Sequence, residues 1–239
     1  MNASTLDDDS TESREAHWIP LSDLMTGLMV MFLLIAVLYM MRVEADSNSI
    51  KQVAIAYSEI KDALYEDLNK EFHEDLPKWK AQLIRSDLTV RFTEPEILFA
   101  NGSSELKPDF RVILADFFPR YVRILTSEKY RDAINEIRIE GHTSSSWENR
   151  VSSDDAYFFN MGLSQARTRS TLMNLLSLPE VSTQKDWLRA HVTANGLSSS
   201  HLILDDHGHE DSARSRRVEF RVRTDAETRL AKILEVSQQ

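Results

Sequence analysis

The sequence contains no cysteine among its 239 residues. That absence excludes a disulfide framework, zinc–thiolate sites, iron–sulfur clusters and a cysteine nucleophile. The chain also lacks a basic excess, with 28 Lys+Arg against 38 Asp+Glu and a formal net charge of −10. A protein this acidic has no positive face on which to wrap nucleic acid, so no direct nucleic-acid partner is expected. At roughly 100–200 residues per domain, the length holds one good domain with appendages.

What the chain does have is a long apolar run near its N-terminus. No charged residue occurs from Leu24 to Met41, and Ile19–Ser22 extends the stretch with Asp23 as the one interruption. Crossing a bilayer core takes about 20 helical residues. Trp18 and Arg42 flank the run where interfacial anchors belong. The tail before it is acidic (Asp7, Asp8, Asp9, Glu12 and Glu15 against Arg14), and no small-residue cleavage site follows. Both features argue against a signal peptide. The expectation is a tail over 1–18 and an uncleaved single-pass anchor over 19–41, the tail being cytoplasmic if the C-terminal domain binds a periplasmic ligand. Charge does not set its direction: the tail has one Arg, while Arg42 and Lys51 follow the span.

Pro20 suits the first turn of a helix, where its missing N–H would be unpaired anyway. Asp23 follows three residues later and has two readings. An acid in a first helical turn complements the macrodipole at a wet membrane edge. Alternatively, an intramembrane carboxylate is costly and marks an ion route. Helical spacing puts Thr26 and Gly27 on the face of Asp23, where a hydroxyl and a bare backbone leave room for water or a neighbouring helix. The run Trp18-Ile-Pro-Leu-Ser-Asp23-Leu-Met-Thr26-Gly-Leu-Met-Val-Met-Phe32 resembles the membrane helix of flagellar-type stator B subunits. The resemblance implies that Asp23 carries the translocated ion, with Thr26 beside it. It also implies a homodimer of this chain inside a ring of five polytopic A-type subunits.

Beyond Arg42, apolar residues recur at Ile50, Val53, Tyr57, Ile60 and Leu64, a heptad spacing that favours helix pairing. Leu68, Phe72 and Leu76 continue at i+4 up to Pro77. An amphipathic helix packed on its own domain fits the same residues. In stator B subunits this region holds a plug, so the resemblance allows one at roughly 44–65, within a helical linker over 42–85.

From about residue 86 the pattern is that of a globular domain. Strands are expected at Leu88–Phe92, Ile137–Glu140 and Arg217–Val222. Helices are expected at Pro108–Thr126, broken or kinked at Pro119, and at Ser164–Leu176. Strands interleaved with helices indicate an α+β, split βαβ layer. Three motifs follow in order: Glu140-Gly-His-Thr143 after a strand, Asn160-Met-Gly-Leu163-Ser-Gln-Ala-Arg167 opening a helix, and Ser215-Arg-Arg-Val-Glu-Phe220 starting the last strand. With Ile97-Leu-Phe99 and Leu106-Lys-Pro108 upstream, they resemble the OmpA-like peptidoglycan-binding domain over roughly 86–225, leaving 226–239 as a C-terminal helical tail.

That resemblance implies a pocket for the carboxylate and amine of a stem-peptide diamino acid. Arg167 matches the carboxylate-binding arginine, a role that a bidentate guanidinium fork suits. Asn160 and Leu163 match positions lining the groove, at a helix start that would itself favour an anion. Taken without the motif, Arg167 reads as an exposed helix arginine pairing with a nearby acid. One position departs from the pattern: Ser144 stands where the family has the Asp that meets the ligand's ammonium. Asp154 and Asp155 are candidates to replace it.

Other chemistry is thin. His142 and Thr143 read as parts of a strand-to-loop turn. The run Asp205-Asp-His-Gly-His-Glu-Asp211 carries metal-type ligands, but it lacks helical His spacing and reads as a solvated loop. Ser164 fits a helix cap better than a nucleophile, and no nucleophile elbow or phosphate loop occurs. No metal, cofactor or catalytic site is expected. The two readings that stand are an ion-driven motor subunit, with its C-terminal domain in the periplasm, and a passive membrane-to-wall tether. Within the motor class, the Pro20–Gly27 stretch and the Ser144 departure resemble the B subunits of Zorya anti-phage defence systems more than those of flagella.

Overall fold

The C-terminal sheet is built on strict alternation. In β5 (Arg217–Thr224) Val218, Phe220 and Val222 are buried on one face, while Arg217, Glu219, Arg221 and Arg223 point to the other, as the two-residue strand period requires. Beside it, β2 (Thr89–Phe92) and β3 (Ile134–His142) keep the same alternation in register, pairing Val90 and Ile139 with Phe220, and Arg91 and Glu140 with Glu219. One sheet face is therefore apolar and the other a ladder of charges. The computed structural model describes residues 9–93, 95–100, 102–147 and 151–224 of the chain.

The sheet has five strands in the order β1-β2-β5-β3-β4, with β1 at Ala81–Ile84 and β4 at Val192–Gly196. Strands β3 and β4 run parallel, and all other pairs are antiparallel. Since β2 and β3 both run opposite to the β5 between them, the connection from β2 to β3 is a split βαβ unit. The α+β expectation holds. Its helix, α3 (Pro108–Leu125), starts with Pro108 in the first turn, where the missing N–H costs nothing. Between β2 and α3 lies a short helix, α2 (Pro95–Leu98).

Helix α3 was expected to kink or break at Pro119; it does not break but continues through it to Leu125. Phe117, Phe118, Tyr121 and Val122 on either side are buried, and such packing of an apolar face outweighs one lost helical hydrogen bond. Phe117 sits among Phe72, Trp79, Phe92, Tyr121 and Phe220, with ring centroids 4.9–6.1 Å apart. This aromatic cluster is the centre of the core.

The chain divides into two units, residues 1–52 and 53–239. Helix α1 is helical from Asp9 to Phe72. In the first unit it contains Leu21–Ala45, with mean hydropathy 2.4 and no buried side chains. Among the described residues this is the one helix long and apolar enough to cross a membrane. In the second unit, Leu64, Leu68 and Phe72 are fully buried in the domain core. The packed-helix alternative thus describes this stretch, and the core begins N-terminal of residue 86. A polar edge secures it: Arg85 pairs with Asp62 and Glu66, Lys129 with Asp67, and Arg120 with Glu71 and Asp75. The side chains of Trp18, Ile50, Val53 and Tyr57 and the tail 226–239 lie outside the described residues.

Helix α4 (Ser153–Ser177) starts eleven residues before the expected Ser164. Its start is set by Ser152, whose hydroxyl accepts the Asp155 N–H and donates to the Asp155 carboxylate, a reciprocal cap. After α4 come a 3-10 turn (Pro179–Gln184), α5 (Lys185–His191) and β4. A last short helix, α6 (Ser212–Ser215), precedes β5.

Candidate functional site

Helix α4 lies very close to the sheet, and glycine permits it. A Cβ on Gly141 would come 2.7 Å from Thr168 Cγ2 and 3.0 Å from the Ser164 carbonyl oxygen. A Cβ on Gly196 would strike the backbone of Gln165. The helix answers with small and polar residues along its buried stripe: Ala156, Asn160, Ser164, Thr168 and Thr171. The hydroxyls of Thr168 and Thr171 fold back onto carbonyls of the preceding turn, at 3.2 and 2.9 Å.

This placement makes Ser164 a mid-helix residue, not a cap. Its hydroxyl donates to the Met161 carbonyl at 3.0 Å and accepts the Ser198 N–H at 3.1 Å, tying the loop after β4 to the helix. The anion-favouring helix start expected beside Arg167 is also removed, because the true N-terminus lies more than three turns away and dipole effects fade within one.

Arg167 is held by a part of the chain that sequence reasoning used only as a family marker. Phe99 and Leu106 form an antiparallel bridge, and the Lys107 N–H reaches the Leu98 carbonyl at 3.1 Å. The loop so closed presents two carbonyls to the guanidinium: Nε donates to Ser103 at 2.9 Å and Nη2 to Ala100 at 3.3 Å. The Phe99 ring lies beneath, 4.9 Å away, in cation–π range. No signal in the sequence marks those carbonyl acceptors, since backbone oxygens are the same in every residue.

Among the described residues no carboxylate forms an ion pair with Arg167. Burial, with Arg216 nearby, pushes its guanidinium down to about 10, so it stays protonated at neutral pH. A partly desolvated cation with donors to spare and no counter-charge is suited to receive an anion. The pocket it enters is also lined by Phe99, His142, Ser164, Arg216 and Arg217. Its free space is about that of one water molecule. Neither Asn160 nor Leu163 is part of its wall.

Asn160 turns inward instead. Its amide donates to the carbonyls of Ser144 and Ser146 at 3.1 and 3.2 Å, fixing the loop after β3. Leu163 is half-buried. Ser144 is buried, its hydroxyl 3.3 Å from that of Ser146. Asp155 is occupied in the helix cap. The carboxylate that does reach the loop is Glu210, which accepts the Ser145 N–H at 3.0 Å and the Ser145 hydroxyl. In the acidic run around it, Asp205 Oδ1 accepts the N–H groups of His207 and His209, both at 2.9 Å, as a loop turn.

On the charged face, Glu219 Oε1 accepts Arg217 at 2.6 Å and Arg91 at 2.7 Å. Burial raises the Glu219 carboxyl, but Arg217, His142 and Arg91 together outweigh it and hold the group below its usual range. His142 Nε2 lies 3.7 Å from both Glu140 and Glu219, and among the described residues neither ring nitrogen has a hydrogen-bond partner. Burial lowers the His142 pKa. Three such groups could hold a metal ion by spacing alone, yet the arginines already neutralise both carboxylates, so the donor set does not fit a further cation.

In the membrane unit, Asp23 and Thr26 share a helix face. The Thr26 hydroxyl donates to the Ser22 carbonyl at 2.8 Å. A Cβ at Gly27 would meet nothing within 4 Å.

Comparison with known proteins decides the family. The chain is 46% identical over 219 residues to Zorya protein ZorB of Escherichia coli, covering 92% of each. The chain belongs to the ZorB family. No family model matches it. Among solved structures, this ZorB-family chain is similar to the cell wall anchor of the T6SS from Pseudomonas aeruginosa, at 22% identity, with a TM-score of 0.45 over 66% of this chain and 96% of that one. It is also similar to the periplasmic domain of Helicobacter pylori MotB, at 15% identity, with a TM-score of 0.43 over 66% and 90%.

Proposed function

We propose that this ZorB-family chain is an ion-driven stator-type subunit of an anti-phage defence system. It sits in the bacterial inner membrane with its N-terminus cytoplasmic and its C-terminal domain in the periplasm, where it grips peptidoglycan. The observation that carries this reading is the 46% identity to Zorya protein ZorB over nearly the whole chain. The partners are a polytopic A-type subunit, five copies around a homodimer of this chain, and the cell wall.

The mechanism follows from the two ends of the chain. A carboxylate next to an apolar span is costly when charged and cheap when protonated. Asp23 takes a proton from one side and releases it to the other. Each charge crossing 100 mV releases about 2.3 kcal/mol, which biases how the surrounding ring packs against α1. Thr26 and Gly27 keep that face polar and open. In the periplasm Arg167 binds the free carboxylate of a stem-peptide diamino acid, so the domain is pinned while the ring moves. The proton is the natural ion, because a lone carboxylate suffices for it.

The test compares wild type, Asp23→Asn and Arg167→Ala, co-expressed with the A-type subunit, reading phage plating and swimming in the same cells. Asp23→Asn is expected to abolish protection, leave swimming unaffected and leave assembly intact. Arg167→Ala is expected to lose pull-down by purified cell wall. Full protection by Asp23→Asn would leave a passive tether; loss of swimming instead would assign the chain to a flagellar motor.

A further inference from the structure

His142 is the buried titratable group that the anchoring mechanism leaves unused. It ends β3, and among the described residues both ring nitrogens lack hydrogen-bond partners. The charges around it cancel while the ring is neutral. Glu140 of its own strand and Glu219 of β5 each lie 3.7 Å from Nε2. Arg217 and Arg91 pair with Glu219, and Arg221 reaches both Asp87 and Glu140. Glu140, Glu219 and Asp87 thus balance Arg91, Arg217 and Arg221. The loop after β4 adds the His201 ring, edge-on with centroids 6.1 Å apart. On the pocket side no such balance exists. His142 and Arg217 line the same pocket as Arg167 and Arg216, and neither of those last two has an ion-pair partner among the described residues.

We propose that protonation of His142 tightens the hold of this pocket on a carboxylate, so that the wall anchor strengthens as its surroundings acidify. The inference rests on the wall-anchor reading above and adds a regulation to that site. A proton on the ring leaves the balanced cluster with one uncompensated positive charge. A carboxylate bound in the adjoining pocket supplies the counter-charge. Arg167 and Arg216 oppose a further positive charge until an anion neutralises them, so binding removes a repulsion as well as adding an attraction. The coupling is reciprocal: the anion makes His142 easier to protonate, and the proton makes the anion harder to release. Burial disfavours the charged ring, which puts the change on the acid side of the ordinary histidine value of about 6.5. The same proton that weakens the fold therefore strengthens the site.

The experiment measures co-sedimentation of the full-length chain in detergent with purified cell wall at about pH 7 and about pH 5, on either side of the histidine range. Wild type is expected to bind about threefold more tightly at the lower pH, the equivalent of about half a pH unit in the titration of His142. His142→Asn is expected to remove the difference between the two pH values, and His201→Asn to keep it. A second measurement needs no substitution and stays decisive if the buried change costs the fold. The His142 ring resonances of wild type are titrated by NMR with and without soluble wall fragments, and the midpoint is expected to move up by about half a pH unit when fragments bind. Equal wild-type binding at the two pH values, a difference that survives His142→Asn, or a midpoint that the fragments do not move overturns the switch. Wall binding at pH 7 that survives Arg167→Ala intact overturns the anchor assignment itself, a separate failure.

Discussion

Leu68→Ala separates the two uses that the residues after the span could serve. If the continuation of the heptad run through Leu68 were a free dimer contact, shortening one apolar side chain would leave the domain's stability alone. In the structure Leu68 is fully buried between Leu64 and Phe72 on α1, within the main core. Removing a buried leucine to alanine costs the transfer of its lost methyl groups plus the cavity left behind, about 2–5 kcal/mol. The aromatic rings around Phe117 are stiff and collapse little, so we expect about 3 kcal/mol. For a domain of this size each kcal/mol lowers the melting temperature by about 2–4 °C, which gives a fall of about 6–12 °C. The internal control is Ile55→Ala on the same helix, where the side chain is 59% exposed and the expected change is within about 0.5 kcal/mol. The assay is thermal unfolding of the full-length chain in detergent, followed by near-ultraviolet circular dichroism. Trp79, packed on Phe72 and Phe117, reports on the same core. Equal melting temperatures for the two variants would refute the placement of residues 60–72 in the core.

Two further outcomes follow from the site. Gly196→Ala should destabilise by at least about 2 kcal/mol, because its methyl meets the Gln165 backbone. Gly162→Ala, on α4 with nothing within 4 Å, should be neutral or stabilising by up to about 1 kcal/mol in a denaturant titration that also measures Gly196→Ala. Stability should also depend on His142. Its folded pKa is lowered by burial, so folding favours the neutral ring. That contribution is complete above the unfolded value of about 6.5 and is lost as pH falls through the folded value. Denaturant midpoints measured on the acid side of pH 6.5 should fall for wild type at up to about 1.4 kcal/mol per pH unit, and less steeply for His142→Asn.

Much of this protein is written locally. The uncharged run from Leu24 to Met41 identifies the span, because bilayer thickness sets a length that few soluble helices reach. Alternation in Arg217–Val222 identifies β5, since one strand face must be apolar and the other polar. The motifs around His142, Arg167 and Arg217 were legible because each is short and contiguous. What the sequence left open depends on contacts between distant segments. The start of α4 went unseen because its apolar signal is weak: the buried stripe is Asn160, Ser164, Thr168 and Thr171, chosen for close approach to Gly141 and Gly196 and not for hydropathy. The continuity of α3 through Pro119 was decided by the aromatic core on both sides. The heptad run from Ile50 to Leu64, with its continuation through Leu68 and Phe72, fitted a partner helix or its own domain equally well; for its described residues from Ile60 on, only the position of Phe117 and Trp79 chose the domain. Arg167 was found by its motif, but its carbonyl clamp from Ala100 and Ser103, and its lack of an ion-pair partner among the described residues, exist only in three dimensions. Periodicity records which face of an element is buried; it does not record what lies against that face, and the site is made of what lies there.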